Sequence, residues 1–255
     1  MIDIGAYHDD FLLSSPPVYP NFYRISLKYG LESNKEEGYM YFSSPNRPIE
    51  WNTPVPWRGY YINIAQDLLA HNPHLAYSFL NYGLHEPLSL KPPEAFTMTQ
   101  LFTEALKAYD QEQFLMDILL AYCNLMFAHV AQFYKRQFGE SKEKYSHLVN
   151  DFLAQLANYY EHQSGKVVAQ PSVHHFATQL NVTPNYLGDL VKFYTGTTAS
   201  EHIHQHIIKT AKTRLSQKNA SVSEIAYQLG FEYPNYFSRL FRKIVGVSPS
   251  HFRNQ

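Results

Sequence analysis

The last third of this chain contains one sequence pattern written twice. Residues 172–180 (SVHHFATQL) align with residues 221–229 (SVSEIAYQL) at an offset of 49. After a turn that is one residue longer in the second copy, residues 184–190 (PNYLGDL) align with residues 234–240 (PNYFSRL). Self-similarity at a fixed offset indicates a repeated supersecondary unit. Two copies are too few for a solenoid. The fold of one copy therefore indicates the function of this region.

Local signals in the second copy predict a short helix, a tight turn and a second short helix. Ser221 and Glu224 have the spacing of a capping box, and Gly230 stands where a helix stop requires positive φ. Pro234 suits the first turn of the next helix. That helix is predicted to bury Phe237, Leu240, Phe241 and Ile244 and to expose a polar stripe of Asn235, Ser238, Arg239 and Arg242.

The first copy repeats this plan in its own second helix. The predicted buried side chains are Leu187, Leu190, Val191 and Tyr194, and the predicted exposed positions are Asn185, Gly188, Asp189 and Lys192. A helix, a turn and an exposed polar helix make a helix-turn-helix, whose second helix can enter a DNA major groove. Each copy therefore predicts a DNA-reading helix.

Three runs in the second copy carry a family resemblance: residues 221–231 (SVSEIAYQLGF), 236–243 (YFSRLFRK) and 246–253 (GVSPSHFR). They resemble the C-terminal signature of the AraC/XylS transcriptional regulators, and the resemblance covers roughly residues 141–255. It implies two helix-turn-helix units joined by a long helix, for which residues 198–215 are suited, with Thr198 and Glu201 as a further capping box. The implied protein is a cytoplasmic regulator whose partners are double-stranded DNA, a small-molecule effector, a second copy of the chain and, for an activator, RNA polymerase.

The exposed side chains of the two second helices predict individual DNA contacts. Asn185 and Asn235 have the amide geometry for an adenine edge, and Arg239 can fork to a guanine, while Ser238 is small enough to permit close approach. A phosphate contact or a surface salt bridge is the alternative for Arg239. Phosphate contacts, which position a protein without reading sequence, are expected from Lys192, Arg242, Lys243 and the helix start at Ser221.

The first copy departs from this chemistry at two positions. Gly188 and Asp189 stand where the second copy has Ser238 and Arg239. A carboxylate is repelled by phosphates but can accept a hydrogen bond from a cytosine amino group. The first unit therefore either reads cytosine through Asp189 or contributes mainly shape and backbone contacts, and the second alternative is preferred.

Charge and composition are consistent with this division of the chain. The net charge is −1, but residues 1–141 contain 9 Lys+Arg against 15 Asp+Glu, and residues 142–255 contain 12 against 7. A basic back half suits a polyanionic partner. The single Cys123 excludes an intrachain disulfide, suits a reducing cytoplasm and is predicted to be a buried apolar residue. No signal peptide and no membrane span are expected, since the chain lacks the necessary apolar runs.

The front of the chain predicts strands. Residues 23–29 (YRISLKY) alternate with period two and predict a half-buried strand ending at Gly30, and residues 39–42 and 60–64 predict two more. The family resemblance implies a small cupin-like β-barrel that binds an effector, abbreviated here between Gly30 and Gly38. The predicted fold class is therefore α+β, with a cupin-like region (1–110) and a C-terminal all-α domain of two helix-turn-helix units.

An aromatic group in the front region either lines an effector pocket or fills the core of the barrel, and both can hold for different members. The group comprises Tyr39, Tyr41, Phe42, Trp51, Trp57, Tyr60 and Tyr61, of which Tyr41, Trp51, Trp57 and Tyr61 are the pocket candidates. A metabolite-binding module with a vestigial DNA-binding domain is thus the competing function.

No metal site, cofactor or enzymatic activity is predicted. A metal-binding cupin needs two strand His residues one position apart, followed by Glu and a further His, and the predicted strands contain no such set. The remaining histidines either scatter in predicted loops (His8, His71, His74 and His85) or point apart on a helix (His202, His204 and His206). Catalytic and phosphate-binding motifs are absent from the sequence.

Between the two regions the pattern predicts helices over residues 97–109 and 111–138. The longer helix has an apolar stripe formed by Phe114, Ile118, Tyr122, Leu125, His129 and Phe133, widened by Leu115, Leu119 and Met126. The resemblance implies a dimerisation helix, and intrachain packing is the alternative. A break at residues 138–141 separates this dimerisation or linker segment (111–140) from the DNA-binding domain (141–255), whose first helix is predicted over residues 142–163 and packs through Phe152, Leu153, Leu156 and Tyr160.

Overall fold

A computed structural model of the chain describes residues 1–7, 14–29, 38–52, 56–111, 115–140, 142–160, 169–217 and 219–254. The chain divides into two compact units, an N-terminal unit (Met1–Ser141) and a C-terminal unit (Lys142–Gln255). The predicted assignment of effector binding to residues 1–110, dimerisation to residues 111–140 and DNA binding to residues 141–255 stays a prediction. The predicted gap in strand sequence between Gly30 and Gly38 falls mostly outside the described residues.

The N-terminal unit contains two antiparallel sheets. The larger has the strand order β1–β6–β3–β4–β7, and the smaller pairs β2 with β5. The strands are β1 (Ile2–Ala6), β2 (Ser14–Val18), β3 (Phe22–Tyr29), β4 (Gly38–Ser43), β5 (Ile49–Asn52), β6 (Arg58–Ala65) and β7 (Leu88–Leu90). The larger sheet is open, with β1 and β7 at its edges. The predicted α+β class is confirmed, and the three predicted strands are β3, β4 and β6, but the sheet does not close into a barrel.

The alternation along β3 defines two faces of the larger sheet. Ile25 and Leu27 lie on an apolar face, where the neighbouring Phe42 contacts Phe79 at 5.0 Å between ring centroids. On the opposite face, Ser26 and Lys28 are also buried. The prediction of a half-buried strand is therefore wrong, because both faces of β3 are covered.

In its described residues, the N-terminal unit has three α-helices, α1 (Gln66–His71), α2 (Pro92–Tyr109) and α3 (Met116–Glu140), and two short 3-10 helices, Pro73–Leu75 and Ser78–Asn81. Helix α2 begins five residues earlier than predicted and packs against the sheet, where the Tyr29 hydroxyl donates to the Ala95 carbonyl at 3.1 Å. An ion pair between Arg136 and Glu94, 2.5 Å between Nη2 and Oε2, holds α3 against α2. The same Arg136 nitrogen donates to the Ser89 carbonyl at 2.7 Å, which ties α3 to β7.

The buried face of α3 differs from the predicted stripe. It consists of Leu119, Cys123, Met126, Phe127, Val130, Phe133, Tyr134, Gln137 and Phe138. Ile118 and Leu125, which were predicted to lie on the packing stripe, are 45% and 46% exposed, and Phe114 lies outside the described residues. Cys123 is buried as predicted, and burial raises the pKa of its thiol to about 12.

Within the described ranges, α3 is also the one helix long and apolar enough to cross a membrane by length and composition. This is weak evidence for a span, because the core helix of a soluble protein passes the same test. Within the N-terminal unit, α3 contacts α2 and β7 through Arg136.

The described part of the C-terminal unit is helical: α4 (Lys142–Asn158), α5 (Val173–Gln179), α6 (Pro184–Thr195), α7 (Ala199–Ser216), α8 (Val222–Gln228), α9 (Pro234–Val245) and α10 (Pro249–Arg253). The two sequence copies are the helix pairs α5–α6, here named the first repeat, and α8–α9, the second repeat. Helix α7 is the predicted joining helix. Helix α4 buries Phe152 and Leu156 as predicted, and Leu153 is partly buried. The helix ends at Asn158, earlier than predicted, so the buried Tyr160 lies just beyond it, and residues 161–163 of the predicted helix lie outside the described residues.

Local sequence signals set the ends of these helices. Ser221 Oγ accepts the Glu224 N–H at 3.1 Å, and a Glu224 carboxylate oxygen accepts the Ser221 N–H at 2.6 Å, which completes the predicted capping box. Thr198 and Glu201 form the second predicted box at the start of α7. Gly230 follows α8 with φ of 88°, a left-handed value that other residues adopt only under strain.

Candidate functional site

The second repeat presents one face of α9 outward while the other anchors the helix. Phe237 and Phe241 are fully buried and lie 5.8 Å apart between ring centroids, and Phe231 packs on Phe237 at 5.5 Å. On the opposite face Asn235 and Arg239 are exposed. The predicted two-sided helix is confirmed by these positions, because anchoring and outward side chains alternate at helical spacing.

Three details of α9 differ from the predicted pattern. Leu240 was predicted to be buried, but it is only partly buried. Ile244 was predicted to be buried, but it is 42% exposed, since it lies in the last turn beyond the reach of the core. Ser238 is only partly exposed, between the outward Asn235 and Arg239. Because serine is small, it projects less from the outward face than Asn235 and Arg239 do. A ligand can therefore approach the helix closely at this position.

The outward face of α9 is basic. Arg239, Arg242 and Lys243 are exposed, and the helix sequence (PNYFSRLFRKIV) contains no acidic residue. Across the described ranges, none of these three side chains forms an ion pair. The surface salt bridge that stood as the alternative role for Arg239 is therefore not observed within the part of the chain that the structure describes.

Polar contacts from Tyr160 and from helices α7 and α10 fix the second repeat in place. The Tyr160 hydroxyl donates to the Leu229 carbonyl at 3.0 Å, and Arg214 of α7 donates to the Gln228 carbonyl at 3.2 Å. These bonds satisfy carbonyl groups at the end of α8, which helix geometry leaves without a partner. Arg253 of α10 donates to the Ala220 carbonyl, 2.7 Å away, just before α8. None of these supports was predicted, because they join residues 14 to 69 positions apart.

In the first repeat, α6 has the same construction with a different outward face. Leu187, Leu190 and Val191 are buried as predicted, and Tyr194 is partly exposed. Asn185 and Lys192 are exposed, whereas Asp189 is partly buried. A Cβ placed on Gly188 would meet no atom within 4 Å, so the glycine leaves the surface between Asn185 and Lys192 open.

Ser221 stands at the start of α8, where a phosphate contact was predicted. Its backbone N–H already donates to the Glu224 carboxylate, so part of this helix start is occupied by an anion of the chain itself. The Ser221 oxygen acts as an acceptor in the cap. The predicted phosphate contact thus depends on the Ser221 hydroxyl proton, which capping does not use.

Exposed tyrosines around the second repeat were not singled out from the sequence. Tyr227, Tyr233 and Tyr236 are 53–60% exposed, and the rings of Tyr233 and Tyr236 are 5.8 Å apart. Large aromatic side chains are usually buried or engaged in contacts, so exposed tyrosines on a polar surface indicate a contact site. The structure shows this exposure, and the sequence interpretation did not consider it.

The aromatic candidates of the N-terminal unit separate into cavity residues and neighbours. Tyr41 and Trp57 line a small cavity of about 20 Å³. Trp51 packs on Trp57 with ring centroids 5.3 Å apart, and Tyr61 packs on Tyr7 at 5.4 Å. Trp51 and Tyr61 are therefore one contact away from the cavity, and their assignment to an effector pocket stays a prediction.

The same cavity contains cations that the sequence interpretation missed. Arg24, Ser26 and Lys28 of β3 all contribute to its wall, together with Tyr7. Their alternation along β3 was visible in the sequence, but it was interpreted as the exposed face of a half-buried strand. Elsewhere, the described residues include no group of three or more His, Cys, Asp or Glu side chains placed to hold a metal ion.

Comparison with known proteins identifies the class of the C-terminal unit. Residues 176–255 match the family described as "Helix-turn-helix domain". The chain is 41% identical over 81 residues to the uncharacterized transcriptional regulatory protein YesN of Bacillus subtilis, covering 30% of this chain and 21% of that protein. It is 36% identical over 81 residues to the HTH-type transcriptional activator RhaR of Cronobacter sakazakii, covering 32% and 29%.

Among solved structures, the C-terminal domain of AraT, a response regulator from Geobacillus stearothermophilus, aligns at 27% identity with a TM-score of 0.35. The alignment covers 40% of this chain and 84% of that one. The family match lies in the C-terminal unit. This chain spans less than a third of the length of either curated relative.

The C-terminal unit is therefore a helix-turn-helix domain of the kind that transcription regulators carry. More specifically, it is an AraC-type domain with two helix-turn-helix repeats joined by α7. The resemblance inferred from the sequence of the second repeat is confirmed for this region.

Proposed function

We propose that this protein is a cytoplasmic, sequence-specific DNA-binding transcription regulator without enzymatic activity. The observation that carries the proposal is the outward face of α9. This face presents Asn235, Arg239 and further basic side chains, free of acidic neighbours on the helix, above the buried anchor formed by Phe237 and Phe241. A rigidly anchored helix with an exposed polar and basic face is what major-groove reading requires.

The two repeats divide the recognition between successive major grooves. When the joining helix holds α6 and α9 about one DNA turn apart, roughly 34 Å, each helix enters one groove on the same side of the duplex. In the second repeat Asn235, Ser238 and Arg239 read base edges, with Arg239 forking to a guanine. The phosphate contacts are made by Lys192, Ser221, Arg242 and Lys243.

The first repeat contributes less base reading in this proposal. Gly188 removes a side chain from the middle of the α6 face, and the neighbouring Asp189 carries a charge that phosphates repel. Asn185 is exposed and suited to an adenine edge, while Asp189 accepts from a cytosine amino group if it reads a base at all. Shape and backbone contacts are therefore the main contribution of α6.

Selection of genomic DNA fragments by the purified full-length chain, at two salt concentrations, tests the proposal. We expect enrichment of one motif with two contact blocks about 10 base pairs apart, and affinity that falls steeply as salt rises. Binding without an enriched motif at either salt concentration would contradict sequence-specific regulation. It would favour the competing view of a metabolite-binding module with a vestigial DNA-binding domain.

Dimerisation through α3 is the second part of the proposal. Ile118 and Leu125 on this helix, and Leu115 just before it, are 45%, 46% and 65% exposed, so a large part of each apolar side chain is left uncovered. From residue 115 to residue 125 a helix rises about 15 Å, enough for three turns to contact a second copy. Apolar patches on a helix surface commonly mark protein–protein contacts.

A charge placed on this side of α3 is expected to give a monomer. Leu125→Glu should shift the molecular mass measured by sedimentation from two chains to one, because an interface has to bury the new carboxylate. Phe96→Glu, the same kind of change at a 66% exposed position on α2, is the matched control and should leave the mass unchanged. Equal masses for wild type and Leu125→Glu would remove α3 from the dimer proposal.

The N-terminal unit is proposed to sense a small-molecule effector at the cavity lined by Tyr41 and Trp57. Support comes from the grouping of aromatic and polar side chains at one concave place, as in many small-molecule sites. Trp51 and Tyr61 act there as neighbours that support the wall residues. In an activator, RNA polymerase completes the set of partners.

A further inference from the structure

A buried cation lies on β3 in the N-terminal unit. Lys28 is only 9% exposed, and its ammonium nitrogen is 3.0 Å from the centroid of the Trp57 ring. The rings of Tyr41 and Tyr7 are also close, at 5.1 and 5.9 Å. Aromatic faces attract an ammonium group, but they compensate for only part of the hydration that it loses on burial.

A second cation stands beside Lys28. Arg24, four positions earlier on the same face of β3, contributes to the same cavity wall, and its guanidinium lies over the Tyr61 ring at 5.0 Å. Arg24 Nε donates to the Asn63 side-chain oxygen at 2.8 Å, and Asn63 donates in turn to Asp3 at 2.7 Å. The Asp3 carboxylate thus accepts from the Asn63 amide, and Arg24 donates to that amide instead of to the carboxylate.

The charge balance of this cavity is therefore incomplete. Among the described residues, neither Lys28 nor Arg24 forms an ion pair with a carboxylate, and no acidic residue lines the cavity. Loss of hydration, with a smaller contribution from the positive charge of Arg24, lowers the pKa of Lys28 to about 7. Two cations close together in a low-dielectric site are costly unless an anion joins them.

The cavity offers donors arranged for such an anion. Besides the two cations, Tyr7 and Ser26 line it, and their hydroxyl groups are hydrogen-bonded to each other at 2.9 Å, so one hydroxyl proton of the pair remains for an anion. Its volume of about 20 Å³ admits little more than one water-sized group. Leu84, which is 36% exposed, lies at its edge and marks the side from which a larger ligand can extend.

We propose that this cavity binds the carboxylate group of a small organic ligand, with Lys28 and Arg24 as the cationic contacts. The assignment deepens the effector site of the proposed function and rests on that part of it. A cation is repelled by the two positive charges, and a neutral polyol leaves both of them uncompensated. The narrow space favours a planar carboxylate over a tetrahedral phosphate group.

Carboxylate binding is then coupled to the protonation of Lys28. The charged or titratable groups that face it are Arg24 on the same strand, Tyr41 on β4 and Tyr7 after β1. Above pH 7 a bound carboxylate favours the charged ammonium, so binding takes up a proton. The affinity should fall about tenfold for each pH unit above the Lys28 pKa.

The chain carries its own reporter for the test, because its two tryptophans are Trp51 and Trp57. Full-length protein without DNA is titrated with acetate, lactate and benzoate at constant ionic strength, and with benzamide as the neutral counterpart of benzoate. We expect a saturable change of tryptophan fluorescence with at least one carboxylate, none with benzamide, and about tenfold weaker binding at pH 8.5 than at pH 7.5.

Variants connect the response to the two cations. Lys28→Met, which keeps the length of the side chain, should weaken carboxylate binding at least tenfold, and Arg24→Gln should weaken it severalfold. Lys107→Met, at an exposed position paired with Glu104, is the control and should bind as the wild type does. Should Lys28→Met fail to fold, the pH dependence of wild-type binding decides whether Lys28 contacts the carboxylate.

Three results would overturn the assignment. They are the absence of saturable binding by every carboxylate tested, an equal response to benzamide, and carboxylate binding that does not change between pH 7.5 and 8.5. If inorganic phosphate bound more tightly than every carboxylate tested, the carboxylate assignment would also be wrong and the cavity would be a phosphate site. Because DNA is absent throughout, failure of this test leaves the result of the DNA selection experiment untouched.

Discussion

Replacing Arg239 with alanine is expected to weaken binding to the selected DNA site by about 5- to 150-fold, equivalent to about 1–3 kcal/mol, and to relax base preference at one position. The reason is the location of this side chain: it is exposed on α9, one turn after Asn235, above a helix face that is fully anchored. A bidentate guanidinium contact distinguishes guanine, whereas a methyl group at the same place distinguishes nothing. Selection repeated with the variant measures both effects.

Two further variants separate base reading from charge. Arg239→Lys keeps the charge but loses the planar fork, so it should lose base preference while it retains most of the nonspecific affinity. Arg242→Ala, on the same helix, should weaken all sequences alike and lower the salt dependence by about one unit of slope. If Arg239→Ala instead weakened all sequences equally, Arg239 would be a phosphate contact and the base-reading assignment would be wrong.

The C-terminal unit was predictable because its signals are local. The capping pairs Ser221–Glu224 and Thr198–Glu201 act over three residues, and Gly230 and Pro234 restrict the backbone at single positions. Each signal is therefore complete within one helical turn of sequence. The Tyr160 and Arg214 contacts that fix the second repeat depend on the folded arrangement, and no local pattern contains them.

The N-terminal unit shows where local patterns fail. Arg24, Ser26 and Lys28 alternate with apolar residues, which ordinarily indicates a solvent-facing side. In the structure, the tyrosines of the neighbouring strands and Trp57 cover that side, and the cations become part of a cavity wall. The cover comes from residues distant in sequence, so the alternation identified the two faces of β3 but not the environment of each.

Helix α3 illustrates a different ambiguity. Apolar residues occur around most of its circumference, so a helical period fits more than one stripe. The stripe through Ile118 and Leu125 was predicted, with Leu119 and Met126 at its margin, whereas the structure buries Leu119, Cys123 and Met126 and exposes Ile118 and Leu125. Only the position of α2 and β7 distinguishes the two, and the stripe that remained exposed is the one now proposed for a second copy of the chain.

Phe237→Ala is expected to have the largest effect on stability, a loss of about 3–5 kcal/mol in the free energy of unfolding of the C-terminal unit. Phe237 is fully buried and contacts Phe231 and Phe241, so its removal leaves a cavity at the centre of the second repeat. Since domains are stable by only about 5–15 kcal/mol, this loss is a large share of the total.

Urea unfolding followed by far-ultraviolet circular dichroism measures the loss, and tryptophan fluorescence reports separately on the N-terminal unit, which contains both Trp51 and Trp57. Tyr236→Ala, at the adjacent 60% exposed position of α9, is the matched control and should change stability by less than about 0.5 kcal/mol. A loss below 1 kcal/mol for Phe237→Ala would mean that α9 is not anchored through this side chain.

The same variant distinguishes anchoring from reading. Because α9 must be folded to enter a groove, DNA affinity of Phe237→Ala should decline in parallel with the folded fraction of the C-terminal unit. It should recover at lower temperature or urea concentration, where the unit folds again. Arg239→Ala should show the opposite combination, full stability with a persistent loss of specific binding. Parallel losses of stability and binding in both variants would contradict the division of α9 into an anchoring face and a reading face.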